Sequence, residues 1–336
     1  MNRLALFFVV VFGLCAAAPA VIKRDPREVL VESQEAFAKK DFKRAVELLT
    51  QAIEGSPELA PAYILRGLAQ GALGKYDESI EDISKAITLA PGDPRTLLIR
   101  AGTYEAKKQF DKAIGDYSEA IRLSPRDAEI YSSRGFCHAQ DENEDKALAD
   151  FEKALELDPK NLRAIQLRGT VHGQKGQKDK ALADFKRAID LDSNNPATYL
   201  WRAQLYLVEN EPELALADFE EVMRRAPGYA GALNDYAWTL ATNPKDSVRD
   251  GRKAVDFAKK ACYETDYKHA PAVDTLAAAY AEAGEWDEAV KWQEEAVSLA
   301  GKSHPDDLPG MKERVTLFKE KKPFREQPKR EKKKKP

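Results

Sequence analysis

AEIYSSRGFCHAQDENEDKALADFEKALELDPKN, residues 128–161, runs without a gap into LRAIQLRGTVHGQKGQKDKALADFKRAIDLDSNN, residues 162–195. Laid over each other, the two stretches share an Arg-Gly pair (Arg134-Gly135 and Arg168-Gly169), an Ala (Ala147, Ala181), an Asp-Phe pair (Asp150-Phe151, Asp184-Phe185) and a second Ala (Ala154, Ala188). The Ala, Phe and Ala stand at i, i+4 and i+7, which is one apolar face of a helix. The Arg-Gly segment belongs to a separate helix before it, since the polar run Asp141-Glu142-Asn143-Glu144-Asp145 intervenes. Each unit of 34 residues therefore reads as a helix-turn-helix hairpin.

The step continues in both directions. Upstream lie Tyr63, Arg66-Gly67, Gly74, Tyr76, Ala86 and Pro91, then Leu97, Arg100-Ala101, Tyr104, Phe110, Ala113, Tyr117, Ala120 and Pro125. Downstream come Arg202-Ala203, Ala215, Phe219 and Pro227. The stretch from Pro26 to Leu59 keeps Phe42, Ala45, Ala52 and Pro57 without the Arg-Gly pair and reads as an amino-terminal cap. In the seventh repeat Ala254 falls five residues late, which places Thr242-Asn243-Pro244-Lys245-Asp246 in a lengthened turn, because a residue before Pro disfavours helix. The eighth repeat returns with Tyr280, Gly284, Trp286, Ala289 and Ala296.

This pattern resembles the tetratricopeptide repeat, a helix-turn-helix unit of the same period. The resemblance implies an all-α fold, a right-handed α-solenoid of about eight hairpins near 26–59, 60–93, 94–127, 128–161, 162–195, 196–229, 230–269 and 270–303. A hairpin cannot bury its own apolar stripe, so neighbours must stack. Small residues at the helix crossings let the paired helices approach. A capping helix is expected over 306–321 and a basic disordered tail over 322–336.

Comparison among the repeats adds an expectation of its own. Arg66, Arg100, Arg134, Arg168 and Arg202 share one repeat position, and Asp82, Asp116, Asp150, Asp184 and Asp218 share another. Repeats one, seven and eight replace both, with Glu32 and Leu48, Tyr236 and Phe257, and Leu276 and Trp292. Residues that are kept or lost together predict a structural ion pair joining the two helices of each hairpin.

The remaining composition bounds the compartment and the chemistry. Leu4 to Leu14 is an unbroken apolar stretch behind Arg3, and Ala18-Pro19-Ala20 supplies small residues at the peptidase positions. Residues 1–20 therefore read as a signal peptide and the body as exported, to the periplasm or beyond the cell. The alternative is an inner-membrane anchor through residues 4–22. Cys137 and Cys262, several helices apart, are not expected to form a disulfide. From Met311 onward there are 12 Lys/Arg against 4 Asp/Glu, while the whole chain has a net charge of −3, so an acidic body carries a basic end.

No constellation of catalytic residues emerges. Phosphate loops, His-Glu-x-x-His and Gly-x-Ser-x-Gly are missing from the sequence. His138 and His172 share a repeat position with Tyr104, Tyr206 and Tyr280, which reads as packing, since a metal needs three or four converging ligands. No catalytic residue, cofactor site or metal site is expected.

The resemblance implies that a partner protein or peptide would lie in a concave groove lined by the first helices. Carried onto this sequence, the groove strip is Ser132, Phe136, Gln140, Gln166, Thr170, Gln174, Gln204, Asn234 and Trp238. Amide side chains both donate and accept, which suits an extended backbone. The Lys-Asn clamp for a peptide's terminal carboxylate, known in this family, is missing from every repeat. The late repeats look similar to those of exported bacterial members, which implies a scaffold or adaptor of the cell envelope. A second class of function is a tether, with the tail Lys329-Arg330-Glu331-Lys332-Lys333-Lys334-Lys335 meeting anionic lipid or an acidic polymer. Nucleic acid is not favoured as a partner for an exported chain.

Overall fold

The computed structural model describes residues 25–326, without the side chains of 302 and 303. The signal-peptide, membrane-anchor and Lys329–Lys335 readings concern residues outside this range. The described residues contain seventeen α-helices, one short 3-10 turn and no strand. They form two compact units, divided after Pro125.

The first unit contains α1 (Pro26–Ala38), α2 (Phe42–Gly55), α3 (Ala60–Ala72), α4 (Tyr76–Leu89), α5 (Pro94–Ala106) and α6 (Phe110–Leu123). The second contains α7 (Ala128–Gln140), α8 (Glu144–Leu157), α9 (Leu162–Gln174), α10 (Lys178–Leu191), α11 (Pro196–Val208) and α12 (Pro212–Arg225). It continues with α13 (Ala230–Thr242), α14 (Gly251–Glu264), α15 (Ala270–Glu282), α16 (Trp286–Ser303) and α17 (Leu308–Lys319). Within each unit every helix packs on the next one in the chain.

Local chemistry sets the helix ends. Asp93, Asp127, Asn161 and Asn195 accept backbone N–H bonds at the starts of α5, α7, α9 and α11. The turns of hairpins one to six and of hairpin eight each place one residue in the left-handed region, whereas the longer turn of hairpin seven places none there. Gly74 (φ 76°), Gly176 (φ 68°) and Gly284 (φ 80°) adopt it without strain, whereas Lys108 and Glu142 hold it as side-chain-bearing residues.

The close helix crossings follow from side-chain size. Ala45, Ala113, Ala147, Ala181, Ala215 and Ala289 are fully buried. A Cβ added to Gly135 would lie 2.7 Å from the Phe151 ring, and one on Gly67 would lie 2.6 Å from Ile83. Those glycines exist because the facing second helix leaves room for nothing larger.

The seventh repeat departs from the pattern where its sequence does. After α13 the chain passes through a 3-10 turn, Asp246–Val248, before Gly251 opens α14. Gly251 sits against the end of α15, where a Cβ would come within 2.6 Å of the Ala283 nitrogen. Backbone cannot move aside as a side chain can. Gly251→Ala is therefore expected to destabilise the second unit by about 1–3 kcal/mol. Gly301 in α16 has open space around it, and Gly301→Ala is expected to stabilise by about 0.5–1 kcal/mol. Urea midpoints of the two variants should move in opposite directions.

The carboxyl-terminal segment differs from expectation. The capping helix spans Leu308–Lys319 and buries Met311 and Phe318. Lys321 takes a φ of 57°, and the chain turns back on itself. Lys322–Glu326, read from composition as part of a disordered tail, instead lies against α13 and α15. Its charge pattern suggested solvation, but the contacts that hold it come from residues distant in sequence.

Candidate functional site

In the five middle hairpins the Arg and Asp side chains form bidentate ion pairs between first and second helix. Closest approaches are 2.7 Å for Arg66–Asp82, Arg100–Asp116, Arg134–Asp150, Arg168–Asp184 and Arg202–Asp218. The carboxylates are buried and the guanidinium groups half-buried. Hydrogen bonding to Asp184 raises the pKa of Arg168, against the opposing effect of its own burial. Tyr rings shield several of the cations, with Tyr63 5.7 Å from Arg66 and Tyr131 5.8 Å from Arg134.

Two further partners were not read from the sequence. In the first unit Arg66 also donates to Thr50 Oγ1 at 3.1 Å, and Arg100 to Ser84 Oγ at 2.9 Å. These hydroxyls belong to the preceding hairpin, so the same guanidinium joins helices within a repeat and between repeats. The signal was a Ser or Thr two residues after the Asp position of repeats one and two, at Thr50 and Ser84.

Repeats seven and one fill the slot differently. In repeat seven Tyr236 and Phe257 occupy it as an edge-to-face pair, with centroids 4.8 Å apart. In repeat one Glu32 pairs with Arg44 at 3.3 Å.

The nine strip residues all belong to first helices of the second unit and fall into three groups. Gln140, Gln174 and Gln204 are exposed, while Phe136 and Thr170 are half-buried. The Arg163 guanidinium stands 5.6 Å from the Phe136 ring. Ser132 and Gln166 form the second group and require a correction: both are buried and used internally. Ser132 donates to Ala128 O at 3.1 Å and to Asn161 Oδ1 at 3.3 Å, and Gln166 donates to Thr198 Oγ1 at 2.6 Å. Tight stacking of α7, α9 and α11 draws these two polar groups into the seams between repeats.

Asn234 and Trp238 form the third group, at the carboxyl-terminal end. There a cavity of about 480 Å³ is lined by both residues and by Asp235, Asp274, Asp306, Asp307 and Arg314, among others. Burial pushes the Asp235 carboxyl above its ordinary range, against hydrogen bonds from Asn234 and Gln204. Asp274 is buried and accepts two bonds from Arg314, at 2.9 and 2.7 Å, and one from Gln293 Nε2 at 2.5 Å. Arg314 lies on α17, so the cap is bolted to α15 through a pair whose carboxylate is buried and whose guanidinium is half-buried. Trp238 is half-buried beneath Phe324 of the returning segment Lys322–Glu326.

His138 and His172 pack beside the ion pairs. Burial depresses both imidazoles, and His172 Nδ1 lies 2.7 Å from Gln177 Oε1. Among the described residues no three His, Cys, Asp or Glu side chains are placed to hold a metal. Cys137 and Cys262 are both buried, and burial pushes the Cys262 thiol up to about 12. No helix among the described residues is long and apolar enough to cross a membrane.

Hairpins stacked in series, with small residues at each crossing and a polar-aromatic face on the first helices, define a helical-repeat scaffold. Tetratricopeptide-repeat families match residues 30–94, 103–141, 128–161, 169–207 and 272–307, more than half of the chain, and the protein belongs to the tetratricopeptide-repeat family. No curated protein matches its sequence. Its fold is similar to a tetratricopeptide repeat protein from Parabacteroides merdae ATCC 43184, at 21% identity and a TM-score of 0.59, over 88% of this chain and 98% of that one. It is also similar to yeast Tom70, at 19% identity and a TM-score of 0.64, over 93% of this chain and 67% of that one. Both likenesses are of fold.

Proposed function

We propose that the protein is a non-enzymatic adaptor of the cell envelope that binds a partner polypeptide along the first-helix face of its second unit. The observation that carries this reading is the surface of α7, α9 and α11. Gln140, Gln174 and Gln204 stand exposed there, beside the half-buried Phe136 and Thr170. Amides in a row can satisfy an extended backbone in both directions, and a half-buried aromatic offers an anchor. The buried carboxylates of the repeated slot, and Asp274, are instead tied to arginines in structural pairs. Export rests on the amino-terminal apolar stretch Leu4–Leu14 and on Ala18-Pro19-Ala20. The periplasm or the cell exterior is the proposed location, with anchoring through residues 4–22 as the alternative.

The test is in-cell crosslinking with three versions of the chain: unaltered, ending at Glu326, and carrying Phe136→Ala, Gln140→Ala and Gln174→Ala together. Ending at Glu326 removes the Lys-rich tail and none of the described contacts. The expected result is the same specific partners on the first two versions and their loss from the third. Partners that persist on the third overturn the groove. Partners lost on the second move the function to the tail, where anionic lipid or polymer becomes the ligand.

A further inference from the structure

The strap Lys322–Glu326 makes three kinds of contact with the first-helix face of repeats seven and eight. Phe324 packs on Trp238, ring centroids 5.8 Å apart, with the Arg314 guanidinium 5.1 Å from Phe324 and 5.5 Å from Trp238. Arg325 pairs with Glu282 at 2.6 Å. The Glu326 N–H donates to the Thr242 carbonyl at 2.9 Å. An aromatic, a cation and a backbone donor thus meet an aromatic, a carboxylate and a backbone acceptor.

The receptor half is built by the irregular seventh repeat. Thr242 ends α13, and a helix leaves its last carbonyls without intrahelical donors. Pro244 and the lengthened turn stop the following residues from closing over that end. The same turn supplies Arg249, which grips Glu282 at 2.9 Å and donates to the Asn243 carbonyl at 2.8 Å. Glu282 is thereby aimed before any ligand arrives. Its position at the last residue of α15 also draws cations, since the helix carries partial negative charge there. The neighbouring cavity adds Asp235, Asp306 and Asp307, while its one lining cation, Arg314, is already paired with Asp274, so the surface favours a basic ligand.

Building on the reading of the first-helix face as a peptide surface, we propose that this end of it is a receptor for an extended aromatic–arginine segment. Phe324-Arg325 is its resident ligand, and a partner polypeptide bearing the same pair enters by displacing the strap. The strap is then an autoinhibitory cover over Trp238. A tethered ligand competes at a high effective concentration, which keeps weak segments out and admits only a stronger or multivalent one.

The test uses a fluorescent synthetic peptide copying residues 321–328, Lys-Lys-Pro-Phe-Arg-Glu-Gln-Pro, and three full-length chains. These are the unaltered protein, Phe324→Ala/Arg325→Ala, and that double variant with Trp238→Ala and Glu282→Gln added. Anisotropy is expected to show the strap variant binding at least about tenfold more tightly than the unaltered chain, because most of the unaltered population is covered. The fourfold variant should lose the peptide. Equal affinity of the first two chains, or no binding to either at millimolar peptide, overturns the proposal.

Hydrogen exchange gives a second readout: the Glu326 amide should be protected in the unaltered chain and unprotected in the strap variant. Protection absent from both also overturns it. These outcomes are independent of the crosslinking experiment. Failure to capture partners in cells discards the adaptor reading, whereas failure of the peptide to compete discards the strap and leaves the middle repeats untouched.

Discussion

Asp184→Ala is expected to lower the stability of the second unit by about 3–5 kcal/mol, the loss typical of breaking a buried ion pair from one side. Its carboxylate is 6% exposed and holds Arg168 through two bonds, at 2.9 and 2.7 Å. Alanine would leave a guanidinium half-buried with its desolvation uncompensated. The paired change Arg168→Tyr/Asp184→Phe should lose much less, since replacing both charges by packed apolar groups is often close to neutral. The chain already contains that arrangement at the same repeat positions, where Tyr236 and Phe257 meet edge to face. Urea titration of Arg168→Tyr, Asp184→Phe and the double completes the cycle, with Asp184→Ala titrated beside them. Should the double fall as far as Asp184→Ala, the slot is more demanding than repeat seven implies. Should Asp184→Ala scarcely move the midpoint, the pair is ornamental.

How much of this could be read from the sequence depends on the distance over which each contact reaches. The hairpins were legible because their signal is local and repeated: Ala147, Phe151 and Ala154 state a helix face, and Ala181, Phe185 and Ala188 state it again. Covariation among repeats marked the Arg and Asp positions as linked, while the bidentate geometry and the Thr50 and Ser84 bonds came only with coordinates. The groove strip was read less well. Ser132 and Gln166 share one repeat position and both turn into the seams, while Gln140 and Gln174 share another and are both exposed. The family resemblance assigned the two positions to the groove alike, and only the packing of neighbouring repeats separates them. The strap was illegible for a deeper reason. Lys-Lys-Pro-Phe-Arg-Glu has the composition of a solvated end, and its order depends on Trp238, Thr242 and Glu282, presented by two helices much earlier in the chain. Local propensity has no access to such a surface.

The cap makes the same argument in energetic terms. Asp274→Ala is expected to cost about 3–5 kcal/mol and to release α17 from the last hairpin. Two donors converge on this carboxylate, the half-buried Arg314 from α17 and the fully buried Gln293 from α16. Removing the acceptor strands the Arg314 guanidinium and one Gln293 N–H, the amide keeping only its 3.3 Å bond to the Met311 carbonyl, and water cannot reach Gln293 to compensate. The Arg314 guanidinium also sits between Trp238 and Phe324, so its displacement should loosen the strap as well. Hydrogen exchange should therefore speed up across 308–319 and at Glu326 together, while α7 to α12 keep their protection. Glu313→Ala, an exposed change on the same helix, is the matched control and should leave both regions unchanged. If α17 loses protection while Glu326 keeps it, the strap is held by Trp238, Thr242 and Glu282 alone. If neither region changes, the pair does not bolt the cap, and Met311 and Phe318 hold α17 by packing.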